Sequence, residues 1–157
     1  MTQEKNHTKT PYSLRDNYQG PFMATDIVIR YENGIVLIDR KYEPLGFALP
    51  GGMAERMPFP DNAIKEAKEE TGLDIILEDR DRPLCVLSEV DQDPRAFVAS
   101  IAYVATGYGI LKPHEDEDAK QAIVIPYDDI PRALEETDWA FVHHPKIVDI
   151  FLEEYLK

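Results

Sequence analysis

Three carboxylates on one helical face constrain this chain more than any other feature. Residues 62–73 read Asn-Ala-Ile-Lys-Glu-Ala-Lys-Glu-Glu-Thr-Gly-Leu. Glu66, Glu69 and Glu70 stand at i, i+3 and i+4, which is one face of a helix. Like charges so placed repel each other, and the cluster calls for neutralisation. A divalent cation, which prefers hard oxygen ligands, supplies it. Ala63, Ile64 and Ala67 give the same helix small apolar positions that can pack on a core. Gly72 stops the helix, as a residue able to adopt a left-handed conformation does. Upstream, Pro50-Gly51-Gly52 forms a glycine turn. Turn and acidic helix together make a metal cradle.

The length of 157 residues suits one domain with a full core. Residues 1–20 are polar and aperiodic, which reads as a tail; residues 21–157 form the domain. A hydrophobic content of 43% and a charged content of 30% read as a soluble globular protein. No apolar run approaches the roughly 20 residues that span a bilayer. The N-terminus lacks the apolar centre of a signal peptide. Cys85 is the single cysteine, so no internal disulfide can form. These features predict a cytoplasmic protein with no membrane partner. Acidic residues outnumber basic ones 30 to 17, for a net charge of −13. That argues against nucleic acid as a partner, because backbone binding by counterion release needs basic surface. A phosphate can still bind where metal ions stand between it and the protein. The other reading of the charge is solubility alone.

Along the chain, residues 22–31 and 35–38 read as strands joined by an Asn33-Gly34 hairpin turn. A short apolar run, 47–49, leads into the glycine turn. Pro58 and Pro60 predict a stiff, non-helical loop over 53–61, with the helix capped by Asp61 or Asn62. Strands are expected over 73–77 and 84–90. The longest β-like run, 96–108, should pair antiparallel with the strand before it. A polar loop over 109–120 precedes a short strand over 122–125. Helices follow over 128–136 and from Pro145. In the last, Ile147, Val148, Phe151, Leu152 and Tyr155 form a core-packing stripe. Strands and helices mix without strict βαβ alternation, which predicts an α/β fold with a mixed sheet and helices packed on it.

With these residues placed, 51–73 resembles a Nudix box. The family pattern is Gly, five residues, Glu, seven residues, Arg-Glu, an aliphatic, any residue, Glu-Glu, any residue, Gly and an aliphatic. Gly51 stands for the first glycine. Lys65-Glu66-Ala67-Lys68-Glu69-Glu70-Thr71-Gly72-Leu73 covers the second half. Met57 occupies the first glutamate position and Lys65 that of the arginine. These two form a structural ion pair in the family. Losing both strands neither charge, and Glu55 is an alternative partner for Lys65. The run 45–52 resembles the strand entering the box. Asp93-Pro94-Arg95 before a long strand, and Ala140-Phe141 with His143, resemble the branch that contains ADP-ribose pyrophosphatases.

The resemblance implies a Nudix-type α/β/α sandwich that hydrolyses a diphosphate joined to a second group, ADP-ribose being the expected substrate. Alternatives are damaged nucleoside triphosphates or dinucleoside polyphosphates, or a non-catalytic nucleotide-sensing module. Intact Glu66, Glu69 and Glu70 weigh against the last. Mg²⁺ or Mn²⁺ suits the chemistry. Glu66 and Glu70 are assigned as principal metal ligands, the Gly51 carbonyl as an additional one, and Glu69 as a further ligand or the base that orients water. Glu69 and Glu70 are thus the catalytic pair. A distal acid is sought among Glu115, Asp116, Glu117 and Asp118, and Glu117 is chosen. Arg40 and Arg95 are assigned to phosphate or ribose. Phe47, like Tyr103, can stack on a base, although core is the commoner role of both. His143 and His144 read as a turn and helix start. A homodimer is compatible with the family, and no residue here specifies one.

Overall fold

The computed structural model describes residues 17–113 and 119–157. The first strand, β1 (Phe22–Tyr31), is the centre of the architecture. Six consecutive residues, from Ala24 to Ile29, are buried in it. Successive side chains of a strand point to opposite faces, so both faces of β1 are covered. On one face Ile27 and Ile29 join Ala63, Ala67 and Leu73 in a core layer. On the other, Val28 joins Ile130, Ile147, Val148 and Phe151. A sheet buried on both sides explains why the sequence of β1 reads as a continuous apolar run rather than an alternating one.

A two-residue loop leads from β1 into β2 (Gly34–Arg40). Tyr31 pairs with Gly34, so the loop residues are Glu32 and Asn33, not Asn33 and Gly34. The left-handed conformation falls on Glu32, at φ 52°. Short strands β3 (Phe47–Ala48) and β4 (Gly51–Met53) pair with β2 and β1 respectively. After the helix α1 (Phe59–Thr71) come β5 (Asp74–Leu77), β6 (Cys85–Leu87), β7 (Val98–Tyr108) and β8 (Ala119–Pro126). A single 3₁₀ turn, Tyr127–Asp129, leads into α2 (Ile130–Glu136), and α3 (His144–Tyr155) ends the chain. The sheet order is β3-β2-β1-β7-β5, with β4, β6 and β8 attached to β1, β7 and β2. Only the β1–β7 pairing is parallel among the described strands; the other pairings are antiparallel. With α1 on one face and α2 and α3 on the other, this is the expected mixed-sheet α/β/α sandwich.

Several expected boundaries differ from the observed ones for identifiable reasons. The helix α1 starts at Phe59, not at Asp61 or Asn62, and has no side-chain cap. Pro60 lies in its first turn, where a missing N–H costs nothing. Asp61 is inside the helix and pairs with Arg80 at 2.6 and 3.0 Å. Asn62 is buried and donates to Thr25 Oγ1 at 2.8 Å, tying α1 to β1. The strand expected over 84–90 stops at Leu87 because the Gln92 amide takes over. Its Nε2 donates to the carbonyls of Leu87 and Val98, at 2.8 and 2.9 Å. As expected, β6 and β7 pair antiparallel. The strand expected over 122–125 is longer, running beside β2 from Ala119 to Pro126. Phe47 packs against the core layer below α3.

Phe151 is fully buried at the centre of that layer. Replacing it with alanine, Phe151→Ala, should cost about 3–5 kcal/mol. Urea unfolding monitored by circular dichroism measures it.

Candidate active site

A cavity of about 400 Å³ opens where the C-terminal half of β2, the strand β4, α1 and the N-terminus of α3 meet. Asp26, Glu55, Glu66, Glu69 and Asp93 make its walls acidic, and Arg40, Lys65 and Arg95 are interleaved with them. The glycine turn packs closely against two acids of α1, Glu66 and Glu70. A Cβ on Gly52 would lie 2.6 Å from the Glu66 carboxyl carbon, and one on Gly51 would meet the Thr25 carbonyl and the Asp26 carboxylate. The backbone of β4 can approach these carboxylates so closely only because both residues lack a side chain.

Glu70 lies behind this turn, 4% exposed. The Gly51 N–H donates to its Oε1 at 3.3 Å, whereas Oε2 is buried without a hydrogen-bond partner. Burial, with the Glu66 charge beside it, pushes the Glu70 carboxyl well above the usual carboxylate range. An orphaned hard oxygen among further carboxylates is what a divalent cation would satisfy, so the donor set fits such an ion. Glu66 and Glu69 are half-buried and face the cavity.

Lys65 joins the two halves of this region. Its ammonium is 2.8 Å from Glu55 and 2.7 Å from Glu69. Hydrogen bonds to Glu55 and then Glu69 hold its pKa above the ordinary lysine value. The loop-to-helix ion pair is therefore rebuilt by a residue two positions before Met57. Exposed pairs of this kind add little stability; their geometric effect is to hold the Glu69 rotamer and the loop.

The opposite wall is cationic and aromatic. The guanidinium of Arg40 lies 5.1 Å from the Phe141 ring centroid and that of Arg95 5.2 Å. Arg40 is anchored through Nε to the Pro44 carbonyl at 2.8 Å. Arg95 forks onto Asp93 through Nε and Nη2, at 3.0 and 2.8 Å. Burial works against the Asp93 charge, but this fork holds its carboxyl below the usual range. Phe47 is not among the residues lining the cavity. Glu117 lies outside the described residues.

Sequence reasoning missed the cavity floor. His143 and His144 are buried there, 6% and 2% exposed, beside Asp26. Asp26 accepts from the Ser100 hydroxyl at 2.5 Å, and His144 Nε2 is 3.5 Å from its other oxygen. Burial opposes the charge of Asp26, yet His144 and Ser100 outweigh it and hold the carboxyl below its ordinary value. Nothing in the spacing of two histidines before Pro145 marks them as partners of a residue over a hundred positions away; the sheet brings them together.

The fold is an α/β/α sandwich with an acidic helix lining its cavity. Residues 20–145 match the NUDIX domain family. The chain is 37% identical over 136 residues to the ADP-ribose pyrophosphatase of Methanocaldococcus jannaschii, covering 84% of this chain and 74% of that protein. The crystal structure of a MutT/nudix family protein from Enterococcus faecalis superposes with a TM-score of 0.73 at 25% identity, over 99% of this chain and 74% of that one. The NUDIX domain of Shewanella oneidensis NrtR, complexed with ADP ribose, shares the fold at a TM-score of 0.70 and 17% identity, over 92% and 97% of the two chains. The chain belongs to the NUDIX family.

Burial pushes the His143 imidazole down to about 4. The same ring titrates near about 6.5 when unfolded, so between these values the unfolded chain binds more protons. The stability this group contributes is complete above the unfolded value and is lost as pH falls toward the folded one. Denaturant midpoints measured from about pH 7 to about pH 4.5 should therefore fall less steeply for His143→Gln than for the parent chain.

Proposed function

We propose that this chain is a metal-dependent pyrophosphohydrolase that cleaves the diphosphate bond of a nucleoside diphosphate derivative, with ADP-ribose as substrate and AMP and ribose 5-phosphate as products. The observation that carries the reading is the buried, half-satisfied carboxylate of Glu70 behind a glycine turn, with Glu66 and Glu69 on the same helix face. The 37% identity to an ADP-ribose pyrophosphatase supports the choice of substrate.

Glu66, Glu70 and the Gly51 carbonyl would hold Mg²⁺ or Mn²⁺, with Glu69 as a further ligand. Such an ion neutralises diphosphate oxygens and acidifies bound water. The chain's own groups do the rest. Glu69, steadied by Lys65, faces the cavity where it can orient the attacking water and accept its proton. Arg40 and Arg95, gathered on Phe141, present positive charge across from the acids and bind the anionic substrate. The acidic helix thus repels the diphosphate unless a cation intervenes, while the opposite wall attracts it. The rebuilt Lys65–Glu55 pair favours catalysis over a sensing module that has lost its box. The reading includes a small-molecule partner, no nucleic acid and no membrane, in the cytoplasm. No helix among the described residues is long and apolar enough to cross a membrane.

Release of AMP from a panel of nucleotides with Mg²⁺ or Mn²⁺ tests this. ADP-ribose should be the preferred member, and Glu70→Gln should lower kcat at least about a hundredfold. No turnover of any member with either metal sinks the enzymatic reading; turnover of triphosphates alone sinks the substrate. In the same assay Arg95→Ala should raise KM for ADP-ribose about tenfold, a loss typical of one charge-assisted hydrogen bond.

A further inference from the structure

The Leu49 N–H belongs to no strand ladder, since β3 ends at Ala48 and β4 begins at Gly51. It donates instead to Nδ1 of His144 at 3.0 Å, across the sheet-to-helix boundary. A ring nitrogen that accepts a hydrogen bond carries no proton, so the proton of neutral His144 is on Nε2. That nitrogen faces Asp26 Oδ1 at 3.5 Å, and the other oxygen of Asp26 is held by Ser100. The ring itself is wedged between Phe141 and His143, at centroid distances of 4.8 and 4.7 Å.

Two consequences follow. The donor atoms of Asp26, His143 and His144 lie within 4.8 Å of one another, an arrangement that superficially suits a transition metal. The Nε2–H of His144 has no lone pair to offer, which leaves that group one ligand short. Second, the segment entering the acidic site is pinned at three successive residues. Leu49 N–H is held by His144, the Pro50 carbonyl accepts from Ile27 N–H at 2.9 Å, and Gly51 N–H reaches Glu70. Leu49 is 2% exposed, so losing the imidazole as acceptor would leave a buried N–H to be satisfied anew.

We propose that His144 is a positioning residue: as the Nε2–H tautomer, supported by Asp26 and Ser100, it fixes the backbone of residues 49–51 and so aims the Gly51 carbonyl at the cation site. The inference rests on the reading of Gly51 as a metal ligand. His144 touches neither cation nor substrate in this role. Its effect passes through one backbone hydrogen bond, and an asparagine, whose amide oxygen falls near the place of Nδ1, reproduces that bond. A glutamine, whose amide falls near Nε2, does not.

Two measurements decide it. Long-range ¹H–¹⁵N correlation on histidine-labelled protein reports the tautomer directly. The Nε2–H form is expected, and it should persist when Zn²⁺ is added. An Nδ1–H form, an imidazolium at neutral pH, or loss of the Nε2 proton to Zn²⁺ overturns the proposal. Mn²⁺ affinity is then read from the electron paramagnetic resonance of the free ion. His144→Asn should bind Mn²⁺ close to the parent affinity, and His144→Gln about tenfold more weakly, as outer-shell substitutions do. Equal affinities in the parent and both variants, or equal losses in both variants, overturn it. Failure of the parent chain to bind Mn²⁺ at all would instead count against the proposed function, and with it the metal-directed part of the positioning role.

Discussion

The structure depends on keeping the Glu70 carboxylate out of water. A buried carboxyl with one oxygen unsatisfied is costly, and it sits beside Glu66 and Asp26, which add to the negative potential. The neighbouring backbone is arranged around that cost. The two glycines of β4 let the main chain come within reach, the Gly51 N–H supplies one bond, and Arg40 supplies favourable charge from the far wall. The oxygen left unsatisfied, Oε2, is the one that the proposed cation would meet. Giving up stability at the point where a ligand is to bind is how preorganised sites are generally built.

The two walls of the cavity are not independent. Phe141 contacts Arg40 and Arg95 and also packs against His144, whose ring holds the segment leading to Gly51. One aromatic ring just before α3 therefore touches the two guanidiniums of one wall and the imidazole that bonds the segment entering the other. The Asp93–Arg95 fork and the Gln92 amide fix the loop between β6 and β7 beside them.

Periodicity and spacing made much of this legible. The acidic face of α1, the left-handed Gly72 that ends it at φ 75°, the β6–β7 pairing and the apolar stripe of α3 all follow from local rules that tertiary contacts reinforce. The start of α1 is hard to read locally, because a proline that breaks a helix interior is tolerated in the first turn. Phe47, for which the sequence allows base stacking but favours core, lies in a two-residue strand and packs against the core. The Asp26–His144–Ser100 cluster was invisible for a different reason. Its members come from β1, α3 and β7, and only the parallel β1–β7 pairing and the packing of α3 bring them together. Long-range pairing of that sort leaves no periodic trace in the sequence.

Asp26 is the one charged side chain in the buried stretch of β1, and it points to the α3 face with Ala24 and Val28. A slip of one residue in the pairing of β1 would carry it to the α1 face, among Ala63, Ala67 and Leu73 and away from both His144 and Ser100. A buried carboxylate parted from the partners its site provides costs several kcal/mol. A run as apolar as this strand would otherwise be free to pair in neighbouring alignments. The single acid acts as a key that fits only one of them, so the chemistry of the pocket also dictates which alignment of the sheet can exist.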